Sequence, residues 1–444
     1  MAPTLRPDRD ASIPVELPEW AQVGPSNDPR LRGHSFANNP TARRLAETLR
    51  GRVDIREGYE GLEITATSFV GRVDVGPLRV AITPKLPMMP LACLLRYAYR
   101  LRDLATFEET RAPTTRDGLH DLLITLLADE IEELLHRGLS RRYIPLSENL
   151  ASPRGGILVG ELARRGGVRE AQLPCRHFER RPDWHLNRVL RAGLDAAAWM
   201  TEDRDLRRRV HQLADMFGDV EPLSRLNAVA IDNAARGLTR LTLAAEPALT
   251  VIRLLHEMLG VAFDAASESS RMPGFLFDMN KFFQRLLSRF LRENLTGQHI
   301  ADERSIRSVF TYAGPKQRAA PAPRPDYALY EGATLRGFLD AKYRDAWEFW
   351  IPPEWLYQLS IYALASPEHV SILLYASMAA DARDERIDIY PRGLLSTGKP
   401  SCVIIRPVVL TQLAELLDPK PGHQVAVRRL FARKLTEFRV EKIG

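Results

Sequence analysis

No apolar run in the chain reaches the 18 or so residues that a bilayer-crossing helix needs. The longest, from Val370 to Ala380, is about half that length, so a transmembrane helix is excluded from the reading. The opening residues, MAPTLRPDRD, lack the apolar stretch of a secretory signal. Cysteine is scarce: Cys93, Cys175 and Cys402 lie far apart and offer no disulfide framework. A reducing cytoplasm is therefore the expected compartment. Lysine is scarce too. Of 62 basic residues only eight are lysine, at positions 85, 281, 316, 342, 399, 420, 434 and 442. A GC-rich genome is the bland cause, but it makes a lysine beside two aspartates harder to attribute to chance.

The 444 residues suggest two or three domains, and 45% apolar with 27% charged residues is ordinary for a globular protein. A net charge of +6 is too mild to establish a nucleic-acid partner. Residues 1–32 hold six prolines and few periodic apolar positions, which predicts a tail or loosely docked arm. Residues 41–50 read as a short helix. Alternation from Val53 to Leu86, broken by Gly61, Gly71 and Gly76, predicts a small antiparallel sheet. Helical spacing follows at Leu119 to His136, 186–217 and 247–264, and the middle reads as helical apart from a glycine-rich stretch at 154–167. The C-terminal third changes character. A helix from Met279 to Asn294 precedes strands at Ser305–Tyr312, Asp326–Tyr330 and Thr334–Tyr343. A helix at Pro353–Ala365, strands near 370–376, 386–390 and 402–409, and basic helices complete it. The expected fold class is α/β multidomain: a β-rich N-terminal domain (1–115), a mainly helical middle region (116–265) and a C-terminal α/β domain (266–444).

The strongest chemistry lies in the predicted hairpin. Residues two apart in a strand share a face, so Asp340 and Lys342 point the same way. If the turn centres near Ala333, Asp326 lies opposite Asp340. Two carboxylates and one ammonium then meet at one end of a sheet face. Two carboxylates are what Mg²⁺ takes from protein, its remaining positions going to water and phosphate oxygen. The bound metal lowers the pKa of a water and neutralises phosphate charge, and a lysine can orient that water. This is the PD…(D/E)xK pattern of metal-dependent nucleases, with the Ala341 carbonyl as a further metal ligand. On the next helix Gln358 and Tyr362 stand at i and i+4, hence on one face, a spacing that resembles a motif of RecB-like nucleases.

Taken in order, several strings resemble the McrC family, the nuclease subunit of McrBC modified-cytosine restriction systems. They are Val70-Gly71, Ile82 to Leu86 (ITPKL), Arg142-Tyr143, Pro153-Arg154-Gly155, Cys175 to Asn187 with Leu190, Met279 to Phe283, and the Asp326/Asp340/Lys342 set. The resemblance implies a restriction-endonuclease-like C-terminal domain that cuts double-stranded, modified DNA. It implies docking through the N-terminal part onto a hexameric McrB-like AAA+ GTPase that holds the GTP. Asp326 and Asp340 would be metal ligands and Lys342 the catalytic lysine. Family members carry Glu after the Asn-x-x-Phe stretch, whereas this chain has Gln284. An amide is a poorer Mg²⁺ ligand, so Gln284 is expected to support the site rather than complete it.

Other signals read as decoys. Gly393 to Lys399 matches most of a phosphate-binding loop, but Pro400 stands where Ser or Thr would hold Mg²⁺. Cys175, His177 and His185 lack the second cysteine pair of a zinc site. The cluster Tyr343, Trp347, Phe349, Trp350 and Trp355 reads first as packing and second as a stacking surface for DNA. The last helix sets Arg428, Arg429, Arg433 and Lys434 against Val427, Leu430, Phe431, Leu435 and Phe438, a solvated basic face or a phosphate contact. Two functional alternatives stay open: a weakly cutting regulator that stimulates the GTPase, favoured by Gln284, and a stand-alone RecB-like repair nuclease.

Overall fold

The computed structural model describes residues 12–102, 118–168, 171–223, 225–263, 274–307, 309–314, 318–390, 400–418 and 424–439. By compactness the chain divides into two units, Met1–Leu119 with Met258–Gly444, and His120–Glu257. The sequence reading set 1–115 apart from 266–444, yet these segments share one unit. The phosphate-loop look-alike at 393–399 lies outside the described residues.

The first unit opens with β1 (Ile13–Pro18), β2 (Gln22–Val23), α1 (Pro40–Thr48), β3 (Val53–Glu57), β4 (Leu62–Ala66), β5 (Phe69–Val75), β6 (Leu78–Thr83) and α2 (Met88–Tyr99). Residues 12–32 are thus not a loose arm. β1 pairs in parallel with β6, Val15 and Leu17 are buried, and Leu31 is fully enclosed. The prolines misled because β1 is an edge strand, where a missing N–H costs no ladder bond. The single predicted sheet is instead two, ordered β2-β4-β3 and β1-β6-β5-β10, where β10 is Gly274–Asp278. Alternate residues of β4 and β6 fill the core they share. β10 approaches β5 closely because Gly274, at φ +133°, has no side chain: a Cβ there would lie 2.1 Å from the Arg72 carbonyl oxygen.

The second unit runs from α3 (Gly118–His136) through β7 (Arg142–Leu150), β8 (Gly156–Ile157), α4 (Val159–Arg164), β9 (Leu173–Arg181), α5 (His185–Met200), α6 (Arg204–Asp215) and α7 (Ala228–Arg236) to α8 (Glu246–Phe263). α3 and α8 match the predicted helices, the helix expected over 186–217 is broken at 201–203 into α5 and α6, α4 forms inside the glycine-rich stretch, and the sheet β7-β9-β8 was not expected. β7 and β9 pair over nine residues and stay mostly exposed, so neither shows the alternation that marks a half-buried strand.

The rest of the first unit follows: α9 (Met279–Asn294), β11 (Gln298–Asp302), β12 (Tyr327–Glu331), β13 (Thr334–Lys342), α10 (Pro353–Ala365), β14 (Val370–Ser377), β15 (Glu385–Ile389), β16 (Ser401–Val409), α11 (Leu410–Leu417) and α12 (Gln424–Thr436). The first strand after α9 is β11, reached through a turn at Gly297 with φ +78°, and not the expected 305–312. The sheet order is β11-β12-β13-β14-β16-β15, with β13, β14 and β16 parallel. Phe338, Leu373, Tyr375, Val403 and Ile405 pack with Leu359 and Tyr362 of α10. On α12, Ala432 and Leu435 face inward while Val427 and Leu430 are exposed, so the apolar face is narrower than predicted. Arg428 is half-buried and donates from Nε to the Leu416 carbonyl, which removes it from the free basic face.

Arg406 anchors the chain's end. It is buried in β16, donates to Asp384 at 2.6 Å from Nη2 and 2.9 Å from Nε, and reaches the carbonyls of Lys434, Glu437 and Arg439. Removing one partner of such a buried pair strands the other and typically costs roughly 3–5 kcal/mol. Arg406→Ala is therefore expected to destabilise the first unit by about that amount and to speed amide exchange in α12. Chemical denaturation with hydrogen exchange checks it, and unchanged exchange in α12 would contradict the anchor.

Candidate active site

The hairpin β12–β13 brings the two aspartates together through its register. Tyr327 pairs with Leu339, which sets Asp326 opposite Asp340 at the end of the ladder. The register shifts between Leu329 and Tyr330, so that Leu329 faces Gly337 while Tyr330 faces Leu335. Arg336 is the extra residue of this bulge. Were the register of the turn continued through Arg336 without a bulge, the partner of Asp340 would be Pro325 and Asp326 would point to the other face. Phe338, Asp340 and Lys342 share the face that packs against α10, while Tyr343 turns its ring to Phe283 of α9.

Asp340 is 2% exposed, and its Oδ2 lies 2.6 Å from Lys342 Nζ. The Lys342 side chain keeps 22% exposure, against 2% for its Asp340 partner. Its ammonium also lies 5.8 Å from the centre of the Trp355 ring, an attraction of cation for ring face. Asp326 accepts from the Ala341 N–H at Oδ2 and from Gln284 Nε2 at Oδ1, both at 2.7 Å. Gln284 is held in turn by its place on α9, where its carbonyl accepts from the Tyr327 hydroxyl at 2.7 Å. Gln358 donates to the Tyr362 hydroxyl at 2.7 Å, and Tyr362 is 1% exposed. The structure therefore groups Gln284, Asp326, Asp340, Ala341 and Lys342, with Gln358 and Tyr362 beside them on α10.

The electrostatics follow from this crowding. Burial, then the neighbouring Asp340 carboxylate, push Asp326 up to about 6 from its ordinary 3.8, against the Ala341 N–H, Lys342 and the Gln284 amide. Asp340 is also raised, by burial, with Lys342 opposing. Tyr362 is raised by its burial and by the Asp340 charge. The pair thus carries more negative charge than its one lysine offsets. Its oxygen donors suit a hard divalent cation. Among the described residues no three His, Cys, Asp or Glu side chains converge on one point, so the amide of Gln284 stands where a third carboxylate would sit.

The other sequence signals fall elsewhere. Cys175 is buried, His177 Nε2 lies 3.3 Å from Glu148, and His185 Nε2 lies 2.9 Å from the Ala230 carbonyl oxygen. These are separate contacts and not one centre. Of the aromatic cluster, Tyr343 is fully buried while Trp350 is 88% exposed. Sequence reasoning missed Glu19, which accepts from the Tyr343 hydroxyl behind Lys342, and Ser68, which accepts from Asn280. Both lie in stretches with no motif, and only contacts across the fold reveal them.

The family model described as "McrBC 5-methylcytosine restriction system component" matches residues 64–376. No curated protein matches the sequence. One similar solved chain belongs to a refined half-complex from the tetradecameric assembly of Thermococcus gammatolerans McrB AAA+ hexamers with bound McrC. It is 19% identical, with a TM-score of 0.65, and the match covers 95% of this chain and 100% of that one. Another comes from the cryo-EM structure of the Thermococcus gammatolerans McrBC complex, at 19% identity and a TM-score of 0.47, covering 64% of this chain and 88% of that one.

A group whose folded pKa lies above its unfolded value stabilises the fold below the unfolded pKa and loses that contribution as pH rises through the folded one. For Asp326 the window runs from 3.8 to about 6. Ionising the pair therefore opposes folding at neutral pH, and a bound cation offsets the repulsion. Millimolar Mg²⁺ is expected to raise the thermal unfolding midpoint at pH 7.5 and to do little at pH 5. Asp340→Ala should abolish the difference. Thermal scans at the two pH values check this, and an equal response at both would contradict it.

Proposed function

The chain belongs to the family of McrBC 5-methylcytosine restriction system components, and from that premise we propose that it is the Mg²⁺-dependent DNA endonuclease subunit of a GTP-driven restriction complex. The observation that carries the reading is the buried pair Asp326 and Asp340 meeting Lys342 at the end of one hairpin. The mixed sheet with α9 before it and α10 between β13 and β14 fits a PD-(D/E)xK nuclease domain.

In this reading Asp326, Asp340 and the Ala341 carbonyl would hold Mg²⁺, with Gln284 as a neutral neighbour. When bound, Mg²⁺ would supply charge neutralisation and a more acidic water. Lys342, partly exposed and already charge-paired, stabilises the negative charge that builds on phosphate oxygen. Gln358 and Tyr362 keep the α10 side of the site in place through their mutual hydrogen bond. The products are 5′-phosphate and 3′-hydroxyl ends.

The partner is a McrB-like AAA+ GTPase, which holds the GTP. We draw the docking surface from the second unit and not from the N-terminal sheets, whose apolar side chains between Val15 and Ile82 largely fill their own core. Tyr143 and Phe178 share one face of the β7–β9 ribbon and are 66% and 62% exposed. Two large exposed aromatics on one face of a ribbon suit a protein interface. Tyr143→Ala with Phe178→Ala should abolish stimulation of the partner's GTPase and leave Mg²⁺ binding intact. Retained stimulation would overturn this placement.

Gln284 favours a second reading, a weakly cutting regulator that mainly stimulates the GTPase. The two separate in one experiment: cleavage of methylated and unmethylated plasmids with Mg²⁺, with and without the partner and GTP. Lys342→Ala is expected to lower cleavage by about 100-fold or more while complex formation persists. Cleavage retained by Lys342→Ala would refute the assignment of the lysine. Absence of cutting by the wild type, with GTPase activity still raised, would favour the regulator.

A further inference from the structure

Tyr343 follows Lys342 directly, and each of its polar groups is engaged. Its N–H donates to Asn280 Oδ1 at 3.2 Å, its hydroxyl donates to Glu19 Oε1 at 3.2 Å, and its carbonyl accepts from Lys85 Nζ at 3.0 Å. The same ammonium sits 4.5 Å from the centre of the Tyr343 ring. It donates again, at 3.1 Å, to the carbonyl of Ala376. Lys342 pairs with Tyr375 in the last rung of the ladder, and Tyr343 and Ala376 lie next in register beyond it. One side chain therefore ties two neighbouring parallel strands together one residue beyond Lys342.

The anchors of this tie all come from the N-terminal sheets. Lys85 lies just past β6, and its own N–H donates to Glu19 Oε1 at 3.1 Å. Glu19 lies just past β1 and is 7% exposed. Asn280, which holds the Tyr343 N–H, donates from Nδ2 to Ser68 Oγ at 2.7 Å, and Ser68 immediately precedes β5. Burying an ammonium and a carboxylate is costly, and packing alone would be served better by apolar side chains. A lysine here does what an apolar residue cannot: it satisfies two carbonyls at strand ends that water does not reach. The lysine at 342 needs such support, because a catalytic side chain must be held to about 0.5 Å and its own packing leaves it partly free.

We propose that Lys85 is a positioning residue for Lys342, fixing the end of β13 from the N-terminal sheet so that the Lys342 ammonium stays beside Asp340. This rests on the nuclease reading of Asp326, Asp340 and Lys342. The test compares wild type and Lys85→Met, full chain, in complex with the partner GTPase, GTP and Mg²⁺. The expected result is a fall in kcat for DNA cleavage of about 10- to 100-fold, with KM for DNA and GTPase stimulation unchanged. In the isolated chain, amide exchange at 342–344 and 375–377 should rise by about tenfold while β3 and β4 keep their protection. Unchanged kcat and unchanged local exchange in a folded Lys85→Met chain would overturn the proposal. So would a loss of cleavage matched by faster exchange throughout the unit. If Lys85→Met does not fold, Tyr343→Phe and Glu19→Gln, which each remove one link of the same tie, are judged by the same two measurements. A wild-type complex that fails to cut refutes the nuclease reading instead, and the exchange rates still decide whether Lys85 holds the strand end.

Discussion

Two carboxylates facing each other inside a protein repel, and much of the first unit is arranged around that repulsion. Asp340 has almost no access to water, and Asp326 is held opposite it by the ladder of β12 and β13. Burial adds to the cost by removing the solvent that would screen the charges. The surrounding chain supplies what compensation it can: the Ala341 N–H, the Gln284 amide and the Lys342 ammonium. The Ala341 N–H and the Gln284 amide sit on a strand and a helix with their own packing, while the partly exposed Lys342 side chain depends on support from behind its strand. The pair is thus kept under electrostatic tension by a rigid frame, an arrangement found where function demands it rather than where stability does.

The frame depends on one extra residue. Arg336 in the β12–β13 bulge shifts the pairing by one position, and the side-chain period of two makes that shift decide which carboxylates meet. The tight turn at Glu331-Gly332-Ala333 alone would have set Pro325 against Asp340. Bulge and turn together convert an ordinary antiparallel pair into a site. The tie through Lys85 then holds the far end of the same strand. The β13 backbone is thus fixed on both sides of Lys342, by Ala341 to Asp326 and by Tyr343 to Asn280, Glu19 and Lys85.

The hairpin, α9 and α10 were legible in the sequence because each has a strong local signal. Two strand-like runs flank the Glu331-Gly332-Ala333 turn, α9 repeats Phe282, Phe283, Leu286, Leu287 and Phe290 at helical spacing, and α10 opens on prolines. The grouping of Asp326, Asp340 and Lys342 was read from a turn centred near Ala333, whereas the chain makes a tighter turn and recovers the same pairing through the Arg336 bulge, which no local pattern announces. β7 and β9 were not legible: RYIPLSENL and LPCRHFERR are exposed on both faces for most of their length, so no burial pattern was written into them. β1 was hidden by Pro14 and Pro18, which an edge strand tolerates. The strand expected at 305–312 lies instead at 298–302, where only Ile300 is buried and alternation is weak. Glu19 and Ser68 were out of reach for a different reason: they act on residues more than 200 positions away, and local pattern carries no trace of that distance.

Gln284 now has a physical account. A carboxylate at that position would add a third negative charge within hydrogen-bonding reach of Asp326, which burial and Asp340 already push up to about 6. The metal-free site would then be still harder to ionise. An amide reverses the sign of the local interaction: its Nε2 donates to Asp326 and favours the charged form. The exchange lowers the electrostatic cost of the folded chain without metal, and it gives up one anionic ligand. Two carboxylates against one lysine still leave a net negative site, which is the condition for drawing in a divalent cation. In the nuclease reading, an amide at 284 would therefore favour the stability of the metal-free frame over its hold on metal, with Asp326, Asp340 and Lys342 grouped as they are.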